Sequence, residues 1–268
     1  MNMNIRTIRG LAVICCSVLI CASPSVVRAV VIEGFESTTI TQGTNAKGDA
    51  SIQGSYFTIN PTEGANQLLL TTIGSADTGA GYASQSGSNA IPVSGTTGLA
   101  AFLGVSTGTI NNGIGASGTE GSAFKETFSF NAGDVMSFNY DFMSQEPTDG
   151  SGAKDFAFVV LLNSSGQVVQ YSVISNYTNA TLGTANGNPF GGQTGYQTFQ
   201  LSPIATSGNY TVGFGVVDTG NAATDTNPSA LLIDNIQVTA VPEPTTIAFS
   251  LAGGALLAAL RSRIKRRS

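Results

Sequence analysis

Between Met136 and Phe142 the chain alternates strictly: Met136, Phe138, Tyr140 and Phe142 are apolar or aromatic, and Ser137, Asn139 and Asp141 are polar. Successive side chains of a strand point to opposite faces, so this stretch is a strand with one face buried and one polar. The same pattern returns along the chain. Phe124, Phe128 and Phe130 share one parity just upstream, with Ala132-Gly133-Asp134 as the turn between the two strands. Tyr210, Val212, Phe214 and Val216 repeat it, with Gly213 and Gly215 opposite. Asp155 to Asn163 is almost continuously apolar, as expected of a central strand covered on both faces, and Gln167 to Ser175 reads as its hairpin partner across Ser164-Ser165-Gly166. Shorter candidates are Val30 to Glu36, Gln67 to Thr72, Leu99 to Val105, Gln197 to Leu201 and Leu231 to Thr239. No stretch of the body shows a convincing amphipathic helical period.

About ten strands separated by Gly, Asn, Ser and Thr clusters predict an all-β, two-sheet antiparallel sandwich, jelly-roll-like in order. No internal repeat supports a propeller or a β-helix. Gly74 to Gly98 and Asn176 to Gly195 read as long polar loops. The chain has 268 residues with 41% hydrophobic content, enough for one large β domain. Between Val30 and Ala240 fifteen Asp and Glu face three lysines (Lys47, Lys125 and Lys154), a net charge of −12. A body this acidic repels phosphate backbones, which excludes nucleic acid as a partner. All three cysteines (Cys15, Cys16 and Cys21) lie near the N-terminus, and the chain has no His and no Trp. Disulfides, thiolate metal sites, His-based acid–base chemistry and Ser–His–Asp or Cys–His nucleophiles are therefore excluded from the body.

The two ends read as address labels. Arg6 and Arg9 precede an apolar run, Leu11 to Ala22, and Val27-Arg28-Ala29 sets up a cut between Ala29 and Val30, so residues 1–29 read as a signal peptide for the export machinery. At the other end Val241-Pro242-Glu243-Pro244 breaks any regular structure, and Thr245 to Leu260 runs without a charge. Arg261, Arg263, Lys265, Arg266 and Arg267 follow. This order resembles the PEP-CTERM sorting signal of Gram-negative bacteria over residues 241–268. The resemblance implies an exosortase-like membrane processing enzyme as partner and a membrane helix over 245–260. It also implies transient anchoring in the inner membrane before delivery to the cell surface or extracellular matrix. The ectodomain is then 30–240.

Within that body, Asp234 shares strand parity with Leu232, Ile236 and Val238, which places a carboxylate on an apolar face and demands a cation or strong donors. Together with Glu33-Gly34-Phe35-Glu36 near the first strand, this resembles jelly-roll carbohydrate-binding modules. The resemblance implies a structural calcium ion held by Glu36 and Asp234; a hydrogen-bonded Asp234 without metal is the alternative. A second acidic site is Glu146 with Asp155, which bracket a Gly-rich loop after Asp141-Phe142-Met143-Ser144-Gln145. Calcium binding, loop pinning or, in a glycoside hydrolase, catalysis by two carboxylates would each use such a pair. Tyr82, Tyr177 and Tyr196 are the aromatic candidates for stacking on a sugar. The sequence thus predicts an exported, non-enzymatic surface or matrix protein. The alternatives are a carbohydrate-binding module for exopolysaccharide and a secreted glycoside hydrolase.

Overall fold

The computed structural model describes residues 29–111, 115–147, 153–183 and 190–240, all within one compact unit. In chain order the strands are β1 (Ala29–Glu33), β2 (Ala46–Lys47), β3 (Asp49–Gln53), β4 (Gln67–Thr71), β5 (Ile91–Pro92), β6 (Glu120–Phe130) and β7 (Val135–Ser144). They continue with β8 (Phe156–Asn163), β9 (Val168–Asn176), β10 (Leu182–Gly183), β11 (Gly192–Gln193), β12 (Gln197–Gln200), β13 (Gly208–Asp218) and β14 (Ser229–Thr239). Three short helices, α1 (Ser75–Gly79), α2 (Leu99–Leu103) and α3 (Thr107–Ile110), sit between β4 and β6. One sheet runs β10-β11-β7-β14-β4-β3, with β1 also on β14 and β12 also on β7. The other runs β2-β6-β13-β8-β9, with β5 also on β6. Every pair of strands is antiparallel.

The expected two-sheet sandwich is what forms, and parity explains its core. Met136, Phe138, Phe142, Leu231 and Ile233 of one sheet meet Phe124, Tyr210, Val212, Phe214 and Val216 of the other. The rings of Phe138 and Phe214 pack edge to face across the layer, 4.9 Å apart. The other face of the second sheet is covered as well. Phe156, Phe158, Val160 and Leu162 of β8 pack under Val93, Leu99, Leu103 and Ile110. That double burial is why β8 reads as an unbroken apolar run. The opposite glycines of β13 now have a reason. A Cβ on Gly215 would lie 2.4 Å from the Phe158 ring, and one on Gly213 would lie 2.8 Å from Leu103.

Three expectations are corrected. Leu99 to Val105, expected as a strand, is α2 followed by a turn. Leu99, Ala100 and Leu103 lie on its buried face, and Gly104 ends it in the left-handed region at φ 78°. A short apolar run suits helix or strand equally, so alternation alone could not decide it. Asp234 does not share a face with Ile236. Asn235 adopts φ 54° and the β14–β7 register slips between Asp234 and Gln237. This bulge turns Ile236 inward while Asp234 stays with Leu232 on the outer face. Finally, among the described residues no helix is long and apolar enough to cross a membrane. α1 and α2, of five residues each, reach only about 8 Å against a hydrocarbon core of about 30 Å. The expected membrane helix, and the transient inner-membrane anchoring built on it, are corrected accordingly. Residues 1–28, 245–260 and the motif Val241, Pro242, Glu243 and Pro244 lie outside the described residues, while Ala29 and Val30 open β1.

The packing against β13 is directly testable. Gly215→Ala forces the Phe158 ring aside and should lower unfolding free energy by about 1–3 kcal/mol in a urea titration. A variant as stable as the parent would show that this layer is loosely packed.

Candidate functional site

Buried carboxylates mark the places where this fold does unusual chemistry, and they fall into two kinds. Asp234 belongs to the satisfied kind. Its Oδ2 accepts from the Thr62 N–H at 2.5 Å, the Thr62 hydroxyl at 2.8 Å and the Glu63 N–H at 2.8 Å. Its Oδ1 accepts from the Asn235 N–H at 2.7 Å. Glu36, an exposed carboxylate, does the same one step along, accepting from the Ala65 and Asn66 N–H groups at 2.8 and 2.9 Å. Gly64 makes this approach possible. It has a φ of 62°, and a Cβ there would sit 2.2 Å from the Glu36 Oε1. The two residues therefore pin the loop 62–66. Asp234 is thereby placed as in the metal-free alternative, with hydrogen-bond donors on both oxygens. Asp49 is a third case, fully buried and accepting from Thr71, Ser84, Gln85 and Ser86.

The second kind gathers at one end of the sandwich. Asp155 is completely buried; its Oδ1 accepts one long bond, 3.2 Å, from the Thr219 N–H, and its Oδ2 accepts none. Glu146 is buried, and neither of its oxygens has a hydrogen-bond partner. The Ala153 N–H and the Asn227 amide lie near Glu146 and pull its pKa down weakly, short of hydrogen-bond geometry. The structure does bring the expected pair together, since the charge of Glu146 bears on Asp155. It also adds Asp218, Asp225, Asp77 and Glu120, which the sequence reading passed over.

Burial pushes Glu146 up to about 7, with the charges of Asp225 and Asp218 adding to it. Glu120 rises to about 7 and Asp77 to about 6, again through burial first and neighbouring acids second. Burial first and the charge of Asp218 second raise Asp155, while burial and the charge of Asp225 raise Asp218 against the hydrogen bonds it shares with Gly220 and Asp155. Asp141, on the outer face of β7, rises to about 6 through burial, against the hydrogen bond it accepts from the Thr194 hydroxyl at 3.1 Å.

The tyrosines serve the loops. The Tyr196 hydroxyl donates to the Gln67 side chain and the Tyr82 hydroxyl to Gln145, and Tyr177 opens a single 3-10 turn. Tyr82 and Tyr196 are thus tied down by their hydroxyls. A polar depression of about 430 Å³ lies beside β6, lined by Thr44, Asn45, Lys125, Glu126, Thr127 and Thr211. The Lys125 ammonium donates to the Phe102 carbonyl at 2.6 Å and sits 4.4 Å above the Phe102 ring. The Thr127 and Thr211 hydroxyls bond each other at 3.0 Å. Glu126 is partly buried, and its Oε2 accepts no hydrogen bond.

No protein-family model and no curated protein matches the chain. Solved structures give distant likenesses. A carbohydrate-binding module in complex with β-1,4-galactotriose is 8% identical, over 73% of this chain and 87% of its own, with a TM-score of 0.35. The cleaved adhesin domain of Lys-gingipain from Porphyromonas gingivalis is 8% identical over 81% and 99%, at 0.36. A xylan-binding domain from Paenibacillus barcinonensis is 14% identical over 77% and 90%, at 0.30. Likeness at this distance assigns no ligand to this chain.

Two outcomes follow from the contrast between carboxylates. Asp234→Ala leaves the N–H groups of Thr62 and Glu63 unpaired and should cost about 2–4 kcal/mol in chemical denaturation. An unchanged midpoint would mean that the loop is held by other contacts. The raised acids act with the opposite sign to ordinary ones. Their folded-state values, about 6 to 7, lie above the usual carboxylate range, so the folded chain keeps protons that the unfolded chain has released. In chelator-containing buffer, unfolding free energy should therefore rise as pH falls from about 8 to about 5. A midpoint that is flat or falls over that window would contradict the assignment.

Proposed function

We propose that the chain is an exported, non-catalytic sandwich module that binds polysaccharide outside the cell, with the depression beside β6 as its contact. The observation that carries this reading is the depression itself, walled by six polar residues, Thr44, Asn45, Lys125, Glu126, Thr127 and Thr211. Sugar hydroxyls both donate and accept. Thr127 and Thr211, cross-strand partners whose hydroxyls bond each other, share one face of the sheet with the Lys125 ammonium and offer both donors and acceptors to a sugar, whereas the Glu126 carboxylate turns to the core face beside Val212. The depression has no aromatic platform, so binding would rest on hydrogen bonds, with exopolysaccharide as the ligand class. The N-terminal leader and the Pro242-Glu243-Pro244 motif support a role after export, with an exosortase-like enzyme as the processing partner. Glycoside hydrolysis draws no support from Glu146 and Asp155, because both are buried away from any substrate.

Affinity electrophoresis of the purified chain through gels containing neutral and acidic exopolysaccharides tests the proposal. At least one should retard it, and Thr127→Val should weaken that interaction by about fivefold, the worth of one hydrogen bond. Unretarded migration in every gel, or an unchanged affinity for Thr127→Val, would end the reading.

A further inference from the structure

Beyond the depression, the acidic end of the sandwich carries a second inference. Parity puts it there. Glu120 and Asp218 are direct cross-strand partners at the ends of β6 and β13. Val217 pairs with Phe156, so Asp155, one residue before β8, falls beside Asp218. These three continue the inward-facing rows of Phe124, Val216 and Ala157 past their last apolar members. From the other sheet, Ser144 and Ser229 end the inward rows of β7 and β14 and bond each other at 2.9 Å, and Glu146 follows two residues later. Glu120 lies against Gly74, where a Cβ would meet its Oε1 at 2.3 Å, and Asp225 lies against Gly220, where a Cβ would meet its Oδ2 at 1.7 Å. Asp77 completes the group, accepting from the Gly74 N–H at 2.7 Å.

Like charges directly opposite one another weaken a ladder, and a buried carboxylate needs a donor or a cation. Here every ionisable neighbour whose charge bears on Asp77, Glu120, Glu146, Asp155 and Asp218 is another acid. Lys154, next in sequence to Asp155, is exposed. Elsewhere the same chain satisfies its buried carboxylates with backbone N–H groups, as at Asp234 and Asp49. At this end Asp218 and Asp225 also accept backbone N–H groups, from Gly220 and Asn227, but both oxygens of Glu146 and the Oδ2 of Asp155 accept nothing, although both side chains are more than nine-tenths buried.

We propose that Glu146, Asp155, Asp218 and Asp225 form a binding site for a divalent cation, calcium by the all-oxygen character of the donors. Calcium takes six to eight oxygens in irregular geometry, whereas magnesium demands a tight octahedron. Among the described residues no three acids close round a common point, so the shell is completed by the Asn227 amide oxygen and by water as the loop between β13 and β14 settles on the ion. The ion ties that loop to the ends of β7 and β8. It also removes the repulsion that the sandwich otherwise holds inside.

The test is a melting curve of the full chain, freed of metal with a chelator and then given millimolar calcium or magnesium at neutral pH. Calcium should raise the melting temperature by about 5–10 °C at a hundredfold excess over Kd, and magnesium should do less. The double variant Glu146→Gln, Asp218→Asn should lose the calcium response while melting higher than the parent in chelator, because it no longer buries those charges. Should that pair fail to fold, Glu146→Gln alone is read in the same way. Asp234→Ala should melt lower yet keep the response. Identical melting with and without calcium would overturn the proposal, and so would a response that survives in the Glu146 and Asp218 variant.

Discussion

With fifteen acids and three lysines in its body, this sandwich cannot pair its buried carboxylates with side-chain cations, and its loops are organised by what each carboxylate finds instead. At the buried Asp234 and Asp49, and at the exposed Glu36, the answer is backbone N–H groups. Each of these residues draws a neighbouring loop onto a sheet: 62–66 onto the outer face of β14, and 84–86 onto the start of β3. A charged acceptor holding two or three donors is among the stronger polar arrangements a protein can make. Here it takes the place of the ion pairs and disulfides that the composition denies.

The bulge at Asn235 makes the first of these arrangements possible. One residue in the left-handed region lets β14 present Leu232 and Asp234 outward and then Ile236 inward. The strand thereby serves two apolar clusters and one loop at once. Its neighbours along one edge depend on this, while β7 follows the other edge on both sides of the bulge. β4 pairs with the part before the bulge and β1 with the part after it.

Much of the sandwich was legible in the sequence because alternation is a local signal. The inward rows of β6, β7 and β13 follow it residue by residue, and the continuous run of β8 correctly implied cover on both faces. The bulge was not read, although Asp234 interrupts the apolar parity and Asn235 is a residue type that tolerates the left-handed region, because neither signal alone fixes where a register slips. The helical cover over β8 was missed for a related reason. Leu99 to Val105 is too short for its period to be read. Glu146 and Asp155 were found because they flank one loop. Their partners Glu120, Asp218, Asp225 and Asp77 come from segments far apart in the chain, and only strand pairing brings them together. The available signal was that Glu120 and Asp218 both stand at strand ends on the core parity, where an acid has no ordinary reason to be.

The account turns on whether the acidic end is a place for an ion or merely a store of buried charge. Diffraction from calcium-soaked crystals, with anomalous scattering measured at long wavelength, distinguishes the two directly. The account predicts one strong peak among Glu146, Asp155 and Asp218, with carboxylate oxygens about 2.3–2.6 Å away, and no peak at Asp234. A map without a peak at that end, or with its peak between Glu36 and Asp234, would contradict it.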